Sequence, residues 1–77
     1  MIHLSRKFKI LKLTARGNLL LESAEKAPVT GKLPFRWSEQ KAGFIFETIG
    51  KMESPLYLGK AEGISAEKLV GKTVETG

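Results

Sequence analysis

A chain of 77 residues has room for one domain and one modest core, and at this size roughly 60–65% of the unfolded surface is buried on folding. A hydrophobic content of 42% argues against disorder, and the absence of cysteine excludes a disulfide framework and any thiolate metal site. The net charge of +5 favours polyanions, yet Lys and Arg recur singly with Glu between them, so the charge reads either as a solvated strand face or as phosphate contacts.

Met1 to Ser5 shows no apolar run behind a charged head, so no signal peptide is expected. Phe8 to Thr14 reads as a first strand, although Leu4, Phe8 and Leu11 also suit a helical stripe. Arg16-Gly17-Asn18 is a turn, and Asn18 to Ser23 returns as a strand with Leu19, Leu20 and Leu21 in succession. Three apolar residues in a row mean that both faces are covered or that one meets a partner. Ala24 to Lys32 is a loop holding Pro28 and Gly31. Leu33 to Trp37 is a strand with Leu33, Phe35 and Trp37 on one face, and Pro34 places it at an edge or at a strand start. Glu39 to Ala42 is read as a loop. A strand over Phe44 to Ile49 then leads through a loop from Gly50 to Pro55 into a strand over Leu56 to Ala61, in which Leu56 and Leu58 face opposite to Tyr57. Ser65 caps one helical turn that Gly71 stops, and Lys72 to Thr76 is a last strand.

Short strands separated by Gly and Pro predict an all-β domain spanning residues 1–77, with its core over about 7–76. About six strands of this size have too little core to leave edges open, so a small closed six-stranded barrel with one short helical turn is expected.

No catalytic residue, metal site or cofactor site is identified. His3 is the single histidine and lies in the N-terminal tail, and there is no Asp. No two carboxylates form an acid–base pair, and Ser65 has no histidine partner. Gly59-Lys60-Ala61-Glu62-Gly63 and Gly71-Lys72-Thr73 lack the spacing of a phosphate loop. The chain is therefore expected not to be an enzyme.

The aromatic residues are candidates for base stacking or for core. Phe35, Phe44 and Phe46 read as core, whereas Trp37 and Tyr57 each lie beside a loop and carry a polar handle suited to an interface. The segment Ile49, Gly50, Met52, Pro55, Leu56 and Tyr57 is the candidate partner-binding surface. Tyr57 either anchors docking or packs across the barrel, and a folding defect on truncation distinguishes the second role from the first. Lys7, Lys9 and Lys12, within the densest basic group, are the candidate RNA contacts.

Ala42-Gly43-Phe44-Ile45-Phe46-Glu47-Thr48-Ile49-Gly50, then Ser54-Pro55-Leu56-Tyr57-Leu58, then Leu69-Val70-Gly71-Lys72-Thr73-Val74 resemble the Gar subunit of H/ACA ribonucleoproteins. That family shows a Gly-led strand ending in Gly-Pro-Val, a Pro-Tyr-Val strand and a terminal Val-Gly-x-x-Val/Leu strand. Gly17-Asn18-Leu19-Leu20 and Ala27-Pro28 sit where the family has its first hairpin and a Pro-containing turn. The chain departs from the family in having Lys51-Met52 for Pro-Val, one residue between Pro55 and Tyr57, and Gly59-Lys60-Ala61 for a Lys-Pro ending.

The resemblance implies a six-stranded barrel of the reductase/elongation-factor type. It implies a non-catalytic subunit that docks on the catalytic domain of the pseudouridine synthase and assists rRNA substrate loading and release in ribosome biogenesis. Guide and substrate RNA would then be met mainly indirectly, by a monomer within a multi-protein complex without membrane association. The absence of Gly-Arg-rich tails resembles the archaeal form, which implies a cytoplasmic location; a eukaryotic member would be nucleolar. The alternatives are a small basic barrel that binds RNA directly, and a ribosome-maturation or translation-factor barrel that binds a ribosomal protein.

Overall fold

A computed structural model describes residues 6–25, 27–29, 31–51 and 53–76. The strands are β1 (Arg6–Leu13), β2 (Leu19–Glu22), β3 (Leu33–Trp37), β4 (Gln40–Lys51), β5 (Ser54–Ala61) and β6 (Thr73–Thr76), with one helical turn, α1 (Ala66–Leu69). They form a closed antiparallel barrel in the order β1-β2-β5-β4-β3-β6. The barrel and its helical turn agree with the expected fold class. Closure runs through β3 and β6, paired at Phe35–Thr76 and Arg36–Glu75.

The interior follows from strand alternation. Phe8 and Ile10 of β1, Leu19 and Leu21 of β2, Phe35 of β3, Ile45 of β4, Tyr57 of β5 and Val74 of β6 are all fully buried. Leu69 of α1, also fully buried, completes this core. Ser65 occupies the N-cap as expected, but its hydroxyl makes no capping bond; its carbonyl accepts from Lys68 N at 3.0 Å.

Two loops expected from the sequence are strand instead. Glu39 to Ala42 belongs mostly to β4, which pairs with β3 from Trp37–Gln40 onward, leaving Ser38 and Glu39 as a two-residue turn. The segment from Gly50 to Pro55 is likewise a tight hairpin, since Gly50 pairs with Pro55 and Lys51 with Ser54. The first strand, for which a helical stripe was the competing pattern, is β.

Gly43 explains the first difference. Its pattern reads as punctuation, but it lies inside β4 where β4 and β5 approach closely. A Cβ there would run into the Lys60 carbonyl and stand 2.8 Å from the Phe35 ring. Gly59 in β5 does the same service, with a Cβ position 2.7 Å from the Phe44 carbonyl. Such glycines let two strands coil tightly at a barrel corner.

The β3–β4 turn carries backbone strain. Ser38 and Glu39 take φ values of 55° and 65°, the left-handed pair that favours Asn-Gly. Combining Ser38→Asn with Glu39→Gly is therefore expected to raise the unfolding free energy by about 1 kcal/mol. A urea titration reads it as a higher midpoint at constant slope, and a lower midpoint would contradict the turn assignment.

Candidate partner-docking surface

The outer positions of the barrel divide into two kinds. On β1, β3 and β6 they are polar or exposed, as at Lys7, Lys9, Pro34, Arg36, Thr73 and Glu75. On β2, β5 and β4 an apolar row runs between charged positions such as Glu22, Glu47 and Lys60. Leu20 of β2 lies opposite Leu58 of β5, and Leu56 of β5 lies opposite Ile49 of β4. All are half-buried, yet none packs against the buried core. They shelter one another on the outside of the barrel. A solvated antiparallel sheet face ordinarily carries polar residues there, so this wall is an apolar surface without a partner among the described residues.

Of the predicted docking residues, Ile49 and Leu56 lie on this wall. Gly50 is exposed near the tip of the β4–β5 hairpin, where a φ of +88° serves the turn. Met52 lies outside the described residues. Leu20 and Leu58 were missed as site residues, although the run Leu19-Leu20-Leu21 held the signal: its alternation leaves one leucine outside.

Pro55 and Tyr57 are corrected. Pro55 is buried, and Tyr57 is fully buried on the inner side of β5. The Tyr57 ring meets Phe8 edge to face at 5.0 Å, with the planes 85° apart. Its hydroxyl donates to the Ala27 carbonyl at 2.9 Å and accepts from Arg6 Nη2 at 2.6 Å. Arg6 Nη2 also donates to the Glu25 and Ala27 carbonyls at 2.6 Å each, and its guanidinium lies 4.6 Å from the Phe8 ring centroid. Its Nε stands 3.7 Å from the Glu25 carboxylate. The polar handle of Tyr57 thus ties the loop after β2 to the barrel and leaves nothing of the ring for a partner. Thr48 fastens the same loop further along, accepting from Val29 N at 2.7 Å.

Phe44 and Phe46 also depart from expectation. They point outward, half-buried, while Ile45 between them fills the core. Strand alternation puts Phe44 and Phe46 on the same side, their ring centroids 6.2 Å apart, and the bulge between Ile45 and Glu47 brings Glu47 out beside them, opposite Leu58. With Phe8, Phe35 and Tyr57 already inside, a barrel of this size has no room for more rings.

The candidate RNA contacts lie along β1, on the polar side. Lys7 pairs with Glu75 at 4.0 Å, and Lys9 stands opposite Glu22, so both face carboxylates across the sheet. Lys12 stands opposite Leu20. Among the described residues, no helix is long and apolar enough to cross a membrane.

Compared with protein-family models, curated proteins and solved structures, the chain matches none of them significantly.

Proposed function

We propose that this chain is a non-catalytic docking subunit that binds a protein partner through the outer wall of β2, β5 and β4. The observation that carries the reading is the row Leu20, Leu58, Leu56 and Ile49, apolar where a solvated barrel face would be polar, and separate from the core. An apolar row rimmed by charged residues such as Glu22, Glu47 and Lys60 has the composition of an interface centre with a polar rim.

The partner proposed is the pseudouridine synthase of an H/ACA ribonucleoprotein. Support comes from the resemblance of the β4, β5 and β6 segments to the Gar subunit, and the closed six-stranded barrel is the architecture that resemblance implies. In this role the chain assists rRNA substrate loading and release as a monomer within the larger assembly.

Leu58→Asp tests the wall without touching the core, because Leu58 faces outward between Leu20 and Glu47. Calorimetric titration into the synthase catalytic domain is expected to show a loss of about 2 kcal/mol, or about 30-fold in affinity. The unfolding free energy of the variant, read from a urea titration, should stay within about 0.5 kcal/mol of the parent, as for other surface substitutions. Unchanged affinity would remove this wall from the interface.

A further inference from the structure

The outer face of β3 and β4, beside the apolar wall, carries a different chemistry. Phe44 and Phe46 present their rings there, with Lys32 and Lys60 on either side of a shallow depression of about 260 Å³. Lys32 Nζ sits 5.0 Å from the centroid of Phe44, and Lys60 is the cross-strand neighbour of Phe44. On the other side of Phe44, Pro34 pairs with it across β3, followed by Arg36 paired with Lys41. These two cations line an adjoining depression with Pro34.

Two cations therefore flank the two outward rings, and two more follow along β3 and β4. Among the described residues, none of the four lies within ion-pair distance of a carboxylate, in contrast to Lys7 on Glu75. The nearest carboxylates are Glu39 in the turn, Glu47 exposed at the bulge next to Phe46, and Glu75, which lies opposite Arg36 and 4.0 Å from Lys7.

Aromatic faces interleaved with unpaired cations suit a polymer that offers flat bases and phosphates in alternation. The geometry points to a single-stranded nucleic-acid site on the outer face of β3 and β4, with a base stacked on Phe44 and the flanking phosphates at Lys32 and Lys60. Arg36 and Lys41 extend the track toward the β3–β4 turn. The site is distinct from the β1 lysines and does not depend on docking to a protein partner.

Fluorescence anisotropy with labelled U12 RNA and dT12 DNA tests the site on the isolated chain, and the two strands show which polymer fits. Phe44→Leu keeps the wall apolar but removes the ring. It is expected to weaken binding about tenfold with little change in the salt slope. Combining Lys32→Gln with Lys60→Gln is expected to reduce the slope of log affinity against log salt by about 1.4, the value for two phosphates on a single strand. Combining Lys7→Gln with Lys9→Gln should leave both quantities nearly unchanged. Loss of binding to either strand in this pattern supports the site. Equal losses from the β1 and β4 variants would overturn it, as would inorganic polyphosphate competing as well as U12 at equal phosphate concentration. Failure of both strands to bind, with Phe44→Leu weakening the synthase complex instead, would assign Phe44 to the protein interface and overturn it too. Should Phe44→Leu unfold, the lysine pair alone decides, because both side chains are exposed.

Discussion

Tyr57→Ala is expected to lower the unfolding free energy by about 3–5 kcal/mol, the range for emptying a large buried ring. The side chain fills the barrel centre against Phe8, and its hydroxyl joins Arg6 and the Ala27 carbonyl. A domain of this length has about 4–12 kcal/mol of stability in all, so the variant should lose at least about a quarter of it. Tyr57→Phe separates the two contributions. It keeps the ring and removes the hydroxyl that accepts from Arg6, whose side chain is only 13% exposed, and donates to the Ala27 carbonyl, at a cost of about 1–3 kcal/mol. Urea unfolding followed by far-ultraviolet circular dichroism checks both. A Tyr57→Ala chain as stable as the parent, but deficient in partner binding, would return Tyr57 to the docking surface.

The second large effect is expected at Gly43. In Gly43→Ala, the new methyl meets the Lys60 carbonyl, the Phe35 ring at 2.8 Å and the Ala61 Cα at 3.0 Å. The first and last are backbone atoms of β5, so relief requires β4 and β5 to separate at the barrel corner. The expected loss is about 3 kcal/mol, at the upper end for overpacking. Gly63→Ala is the control, because its Cβ position is open and only a φ of +77° opposes it, at about 1 kcal/mol. Urea midpoints should order the chains as parent, Gly63→Ala, Gly43→Ala. Equal midpoints for the two variants would contradict the close approach of the strands.

Much of the barrel is legible in the sequence because its period-two alternation is strong. Leu33–Trp37 emerges with the bounds read from the pattern, and the helical turn and last strand are offset by a residue or so. The misreadings share a physical origin. Gly43 looks like a loop signal, but glycine also marks a place where backbones meet, and only the fold shows which. The run Phe44-Ile45-Phe46 has two phases. The choice of two inward rings fails because Phe8, Phe35 and Tyr57, distant in sequence, already occupy the interior. Tyr57 is misjudged for a similar reason, since the Arg6 group that satisfies its hydroxyl lies 51 residues away.

The site is legible in part. Ile49 and Leu56 stand on the apolar wall and strand alternation adds Leu58, but Leu20 joins them only through the β2–β5 pairing, which links segments separated by two other strands. The stretch of sequence that attracted the docking assignment therefore contributes its outer residues, while its inner ones, Pro55 and Tyr57, build the barrel.

The most direct test of the central claim is calorimetric titration of the parent chain and Leu58→Asp into the catalytic domain of an H/ACA pseudouridine synthase, with guide RNA alone as the parallel titrant. The docking reading predicts saturable binding of the parent to the synthase and an affinity about 30-fold lower for the variant. No binding of the parent to the synthase, or equal binding of parent and variant, would contradict it.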